Sequence, residues 1–270
     1  MTERFTVDDL ARPVPLGPPA RRIVSLAPSC TECLVALGAG DRLVGIEEHS
    51  EFPQLAALPR VGGFKHVDLP AVLGLAPDLV VAASLHAVSS APKLAAFGIT
   101  VFVMQPRTLD ALLDGMARVA AVIGLAAASA PYLARCRARV NAVVAQTLRR
   151  RTRPLVYLEL SPDGHTGGPQ SFVDDLITKA GGVNLGGVAR VEWPRLHPAT
   201  VASFHPDVIV IAEWPGSATV RDVGARDGWD RLTAVKSGRV FSVPAAMVKR
   251  PGPALLDGLE RLAGLLAGLE

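Results

Sequence analysis

Five of the six histidines in this 270-residue chain fall in or beside segments that follow apolar, strand-like runs: His49, His66, His86, His165 and His197. Imidazole changes charge near neutral pH and is the commonest side-chain ligand for transition metals. Such a set can hydrogen-bond amides and phosphate, or ligate cobalt, iron or zinc. His49, His66 and His165 are the candidates for holding a metal. Taken singly, each histidine is equally at home as a surface or capping residue.

Aromatic residues make up only 5% of the chain, so the positions of Phe64, Trp193 and Trp214 in the same kind of loop stand out. A planar ligand is bound largely by apolar and aromatic contact, with a few polar groups fixing its orientation. The bland alternative is that Trp193 and Trp214 simply pack the second half of the chain. Cys30 and Cys33 form a C-x-x-C at a helix start, where a thiol pKa is lowered. That allows a redox pair or half of a zinc site, but no second C-x-x-C exists. The competing reading puts Cys33 in the core, leaves Cys30 a small residue near the ligand, and makes Cys136 a packing residue. Gly167–Ser171 opens a helix and is either an anion-receiving turn or a turn only. No G-x-S-x-G, P-loop or H-E-x-x-H is found, so binding is expected and catalysis is not.

Composition narrows the class further. The chain is 49% hydrophobic and 20% charged, with a net charge of +3, which is globular and only mildly basic. The one basic run, Arg149-Arg150-Arg151-Thr152-Arg153, suits a solvated helix end, and no nucleic-acid partner is expected. No apolar stretch reaches the roughly 18 residues of a membrane span. The segment from Met1 to Asp9 lacks an export-type apolar core and a lipidation cysteine. Three cysteines are too few for a disulfide framework.

The elements that must carry these residues follow from the hydrophobic pattern. Residues 1–20 read as an arm or hairpin. Residues 21–107 alternate buried strands (Ile23–Leu26, Leu43–Ile46, Leu79–Ala83, Ile99–Met104) with helices, as parallel β–α units do. Ser29 is expected to cap the first helix, with Glu32 completing a capping box. Residues 108–153 contain two helices, the second running from about Ser129 to Arg151 with Pro131 in its first turn. Its roughly 33 Å would make a rigid strut. Residues 154–270 return to the β–α pattern and end in a helix from Pro253 to Leu269. The run Leu75-Ala76-Pro77-Asp78-Leu79-Val80-Val81-Ala82 is echoed by Phe204-His205-Pro206-Asp207-Val208-Ile209-Val210-Ile211-Ala212, which suggests two lobes of similar build.

The run Arg22-Ile23-Val24-Ser25-Leu26-Ala27-Pro28-Ser29-x-Thr31-Glu32 resembles the substrate-binding proteins of vitamin B12, siderophore and haem ABC importers. Leu37–Gly45, Leu75-x-Pro77-Asp78, Phe97-Gly98-Ile99 and Ala180-Gly181-Gly182-x-Asn184 extend the likeness along nearly the whole chain. The resemblance implies an α/β fold of two Rossmann-like lobes joined by a single long backbone helix, with the ligand cleft between the lobes. Ligands of open α/β sheets bind beyond the strand C-termini. The implied ligand contacts are therefore Ser29, Cys30, His49, Phe64, His66, His86, His165, Trp193, Trp214 and Arg250. Trp193-Pro194 and Arg250-Pro251-Gly252-Pro253 are similar to cobalamin-binding members, so the implied ligand is a corrinoid, with no resident cofactor. Haem, a siderophore or a metal ion are alternatives that would use the histidines. A cytosolic corrinoid-handling enzyme is a further one.

Importer-docking members carry an exposed glutamate on each lobe that pairs with permease arginines. Those positions are Pro70 and Ala199 here, so weak or absent permease docking is expected. The resemblance implies an extracytoplasmic monomer; a native start at Met1 would instead imply the cytoplasm.

Overall fold

In the computed structural model the described residues are 4–86 and 88–268. The opening Met1-Thr2-Glu3 and the expected helix end at Leu269 lie outside them. The chain divides into two compact units. The first holds the residues up to Pro106 together with Asp110–Cys136; the second holds Arg107–Leu109 and the residues from Arg137 onward.

The first unit opens with an antiparallel hairpin, β1 (Phe5–Val7) and β2 (Pro13–Pro15). Its turn is built on two aspartates. Asp8 accepts the Arg12 guanidinium at 2.6 Å and the backbone N–H groups of Leu10 and Arg12. Asp9 receives Arg118 and the Gln105 N–H. There follow β3 (Ile23–Ser25), α1 (Pro28–Ala36), β4 (Leu43–Ile46), a small hairpin β5 (Gly62–Gly63) and β6 (His66–Val67), α2 (Leu69–Gly74), β7 (Leu79–Ala83), α3 (Ala91–Ala96), β8 (Thr100–Met104) and α4 (Leu109–Val122). The sheet is parallel, in the order β4-β3-β7-β8. Val24, Val80, Ala82 and Val103 from its strands pack against Val72 of α2 and Ala91 and Leu94 of α3. Near-continuous Val and Ile runs are what a strand needs when both faces of its sheet are covered.

The boundary between the units falls inside α5 (Ala126–Thr147). The second unit continues with β9 (Leu155–Glu159), α6 (Phe172–Lys179), β10 (Val183–Asn184), α7 (Pro198–Ser203), β11 (Val208–Glu213), α8 (Val220–Gly224), α9 (Thr233–Lys236), β12 (Val240–Pro244) and α10 (Ala254–Ala267). Its parallel sheet runs β10-β9-β11-β12. In sequence terms both sheets have the order second, first, third, fourth.

The echo between the halves extends to backbone detail. The Asp78 carboxylate accepts the N–H groups of Arg21 and Arg22 at 2.8 and 3.0 Å, and Asp207 accepts that of Leu155 at 2.7 Å. Each aspartate thus ties the third strand of its sheet to the start of the first. Two residues earlier in each copy, Ala76 (φ 45°) and His205 (φ 48°) take the left-handed conformation that non-glycine residues rarely adopt. His205 therefore belongs to the turn that launches β11.

Two local expectations are corrected. Ser29 does not cap α1. The cap is Ala27, with an extended backbone, because Pro28 occupies the first helical position with its φ already set, and no side chain accepts at the cap. The long helix begins at Ala126 rather than near Ser129, and Pro131 lies inside it. The Ser129 hydroxyl is committed to the Leu37 carbonyl at 3.2 Å, and the Ser129 N–H to Leu125, so Ser129 is part of the helix body. The basic run lies past the α5 end at Thr147 and binds carbonyls of other segments rather than standing in solvent: Arg150 donates to those of Ala180 and Ala263, and Arg153 to those of Thr178 and Gly182.

Candidate functional site

All strands of a parallel sheet end on one edge, so every loop after a strand C-terminus in a unit gathers there. In the first unit β4 is followed by the turn Glu47–Ser50. Ser50 N–H donates to the Glu47 carbonyl, and Arg60 donates to the carbonyls of Glu47 and Ser50. Beneath the turn, Ser50, Thr31 and Ser25 form a buried hydroxyl chain, with links of 3.0 and 2.8 Å. The segment 59–62 then lies parallel beside the end of β4, with Val61 N–H on the Ile46 carbonyl and Glu48 N–H on that of Gly62. It carries the β5–β6 hairpin to the edge. Gly62 (φ 91°) is required at this point: a Cβ would lie 2.3 Å from the His66 carbonyl oxygen.

Phe64 and His66 occupy the tip of that hairpin, exposed. His86 does not join them at the surface. It is buried, its Nδ1 accepts the Ala83 N–H at 3.2 Å, and its Nε2 donates to the Phe64 carbonyl at 2.9 Å. Both ring nitrogens are thus occupied, burial lowers the pKa, and the ring meets Phe64 edge-on at 5.3 Å. His86, expected among the ligand contacts, is thus engaged with Phe64 and the end of β7. Ser29, Cys30 and Cys33 are buried too, all three cysteines are free thiols, and burial pushes the Cys30 thiol up to about 12. Such a thiol is neither a nucleophile nor a redox partner at neutral pH.

In the second unit the loop after β9 pairs with the segment ahead of α7. Leu196 N–H donates to Gly164, Thr166 N–H to Pro194 and Gly168 N–H to Glu192, at 2.8–3.0 Å. The two segments close like a strap. Gly168 is where they touch most closely, since a Cβ there would lie 1.9 Å from the Val191 carbonyl oxygen. Arg107 holds the strap from the side, through Glu192 at 3.3 Å and Gln170 at 3.2 Å. Trp193 is presented from this strap, 44% exposed, its ring tilted on buried Phe172 with centroids 5.3 Å apart. Trp214 follows β11. Lys249 places its ammonium 3.9 Å from the Trp214 ring centroid, a cation–π contact, and burial lowers the lysine pKa. Arg250 is half-buried in the same connection after β12.

His165 projects from the strap through a carboxylate. Its Nδ1 lies 2.8 Å from Asp163, which also accepts Ser161 at 2.5 Å and Arg195 at 2.8 Å. The Ser161 hydroxyl and, with it, the His165 ring hold the Asp163 carboxyl well below the usual range. Serine and histidine both face the aspartate rather than each other, so this is not the serine–histidine–aspartate relay of acyl transfer. Under the loop, the buried Glu159 carboxylate pairs with both Arg226 nitrogens at 2.5 and 2.7 Å, and Arg226 stacks 4.7 Å from the buried Trp229 ring.

Of the three residues expected to hold a metal, His49 and His165 are each engaged by a carboxylate. Among the described residues no group of three His, Cys, Asp or Glu side chains is placed to hold a metal ion. No helix among them is long and apolar enough to cross a membrane. Pro70 and Ala199 are exposed and occupy the same place in α2 and α7, two residues after the caps Asp68 and His197. Arg107 and Arg195 carry no sequence signal as supports because their partners are fixed only by folding. Arg107 and Glu192 are 85 residues apart.

Two parallel α/β units of one strand order, presenting aromatic and imidazole side chains on loops beyond the strand ends, are the build of a two-lobed ligand carrier. The family model described as periplasmic binding protein matches residues 23–247, and the chain belongs to that family of non-enzymatic substrate-binding proteins. It is 31% identical over 252 residues to a cobalamin-binding protein of Halobacterium salinarum, covering 90% of this chain and 68% of that one. The crystal structure of the periplasmic vitamin B12 binding protein BtuF of Vibrio cholerae superposes with a TM-score of 0.77 at 27% identity, covering 93% of this chain and 98% of that one. The periplasmic heme-binding protein RhuT from Roseiflexus sp. RS-1 shares the fold, with a TM-score of 0.81 at 24% identity, over 93% and 99% of the two chains.

Proposed function

We propose that this chain reversibly binds a corrinoid of the cobalamin class through loops at the C-terminal edges of its sheets, with Trp193 as the principal stacking surface. The observation that carries the reading is the strap: hydrogen bonds, close-fitting Gly168 and the Arg107 clamp all serve to hold out one half-exposed indole. An indole fixed in this way loses little freedom when a flat macrocycle lands on it, which is the advantage of a preorganised contact. Phe64, braced by His86, offers a smaller surface of the same kind. His66 in the first unit, and His165, Trp214 and Arg250 in the second, are carried on loops of the same kind. Ser29 and Cys30, both buried, shape the loop from beneath. The cobalamin-binding relative supports the corrinoid over other flat ligands.

Titration of purified protein with cyanocobalamin, cobinamide, haem and divalent metals, read by tryptophan emission and visible absorption, tests this. Saturable quenching by both corrinoids at one equivalent is expected. Saturation by haem alone would overturn it in favour of a haem receptor. That second reading has its own support in the outward histidines His49 and His165.

The role in import is a separate part of the proposal. Where docking members carry glutamates, Pro70 and Ala199 offer no charge, and Asp68 spends its carboxylate capping α2 through the Ala71 N–H at 2.9 Å. Docking to a vitamin B12 permease is therefore weak. Tight, salt-sensitive association with such a permease would contradict this.

A further inference from the structure

The hairpin that carries Phe64 has little to hold it. Its strands β5 and β6 pair at two positions, Gly62 with Val67 and Gly63 with His66, and Phe64 and Lys65 form the turn between them. Among the described residues, the hydrogen bond that ties this turn to the sheet runs from His86 Nε2 to the Phe64 carbonyl at 2.9 Å. The same ring supports the Phe64 phenyl group edge-on. His86 itself is 1% exposed, and the Ser90 N–H on its carbonyl fixes its backbone ahead of α3.

The partners of the ring define its protonation. A backbone N–H only donates, so the Ala83 N–H at 3.2 Å requires a lone pair on Nδ1. A carbonyl only accepts, so Nε2 carries the hydrogen. One neutral tautomer meets both conditions. An imidazolium cannot, because its Nδ1–H would face the Ala83 N–H. The surroundings give such a cation little compensation. The charged group that faces it is Glu47, on the turn after β4, whose carboxylate is already held by His49. The hairpin presents a carbonyl and a phenyl ring, β7 an amide and the cap of α3 another, while Lys65 and His66 are exposed beside Phe64. Burial lowers the pKa of the ring from 6.5, and the Phe64 carbonyl and Glu47 act the other way.

We propose that His86 is the positioning residue of the Phe64 turn and makes it releasable by acid, since a proton on Nδ1 breaks the bond to β7 and frees ring and turn together. The step is proton uptake from water: Nδ1 gains an N–H bond and gives up the Ala83 hydrogen bond. In the released turn the imidazole regains its ordinary affinity for protons. Below pH 6.5 the ratio of released to latched turn therefore rises by up to about tenfold per pH unit, until the latched ring is itself protonated. The switch needs no ligand. Its effect on binding rests on the proposed role of Phe64, because a loose turn no longer offers a preorganised ring.

NMR on the full chain, labelled with 15N and followed from pH 8 to 5, tests this through the histidine ring nitrogens and the backbone amides. At pH 8 an unprotonated Nδ1 and a protonated Nε2 are expected for His86. Below pH 6.5 the Ala83, Phe64 and Lys65 amides should shift together while those of β3 and β8 stay in place. In His86→Gln, which does not titrate, the three amides should not move. A ring protonated on Nδ1 at pH 8 overturns the switch, and so do Ala83 and Phe64 amides that stay fixed down to pH 5. The wild-type spectra alone decide this, whatever the stability of the variant. Cyanocobalamin titrations at the same two pH values read the effect on binding. The wild type should weaken by up to about fivefold on acidification, the scale of a lost ring contact, and His86→Gln should not. Shifting amides with unchanged cyanocobalamin affinity overturn the effect on binding. Cyanocobalamin bound at neither pH overturns the corrinoid reading, while the amide shifts still decide the switch.

Discussion

The two units answer one another nearly element for element, and their differences lie at the loops. In each, the connection from the second strand to the helix before the third carries an aromatic residue four positions ahead of the helix cap: Phe64 before Asp68, and Trp193 before His197. In each, that aromatic leans on a buried ring, His86 in the first unit and Phe172 in the second. The scaffolding is not the same. Phe64 rides a two-residue hairpin and a histidine bracket, whereas Trp193 sits on a strap of three backbone hydrogen bonds above a buried ion pair. The first unit instead commits a buried carboxylate, that of Glu47, to His49. One topology thus carries a strap-held indole in one unit and a carboxylate-held imidazole in the other.

The largest effect is expected from breaking the buried ion pair of the second unit. Arg226→Ala would leave Glu159 buried and unpaired, at a cost of about 3–5 kcal/mol in chemical denaturation. Pairing it with Glu159→Gln should recover part of that loss. An effect below 1 kcal/mol would mean that the ion pair does not support this unit.

Next is the strap. Gly168→Ala forces a Cβ against the Val191 carbonyl and should cost about 1–3 kcal/mol, with a red shift of Trp193 emission as the strap loosens. Wild-type emission and stability would contradict the close fit.

The comparison sharpens when the two platforms are removed in turn. Trp193→Ala should weaken corrinoid binding about 30-fold, or about 2 kcal/mol, and Phe64→Ala about fivefold, with little change in stability for either. The reverse order would assign the main contact to the first unit.

Smaller still, Asp78→Ala, losing two backbone hydrogen bonds, should cost about 1–2 kcal/mol and Asp207→Ala, losing one, about 1 kcal/mol, since both carboxylates tie strand starts. A large inequality would break the equivalence of the units.

The smallest effect is a pH dependence. Burial lowers the pKa of His86 from 6.5, so the unfolded chain takes up that proton first and stability falls as pH drops below about 6.5. His49 acts in the opposite sense. The Glu47 hydrogen bond raises its pKa, so its stabilisation is complete below 6.5 and fades as pH rises through the folded value. Denaturation between pH 8 and 5 should show a shallower acid decline for His86→Gln than for the wild type. Identical slopes would contradict a neutral, buried His86.

Much of this was legible in the residues. Val- and Ile-rich runs located the sheet strands except β10, whose two residues are too few to show a pattern, and the Pro-Asp repeats disclosed the twofold build, because those signals are local. The cap of α1 was misread since Ser29 and Pro28 both suit a helix start, and proline's fixed φ decided between them. His86 resembled the other loop histidines in sequence, and only its burial and its bond to Phe64, 22 residues away, separate it from them. The strap was invisible for a related reason. Its hydrogen bonds join backbone groups some 30 residues apart, and backbone pairing leaves almost no mark on side-chain identity.

The most direct test of the account is a calorimetric titration of cyanocobalamin into the wild-type protein and into Trp193→Ala. One site per chain, weakened about 30-fold by the substitution, is the predicted result. No heat with cyanocobalamin, beside one-site binding of haem that ignores Trp193, would contradict it.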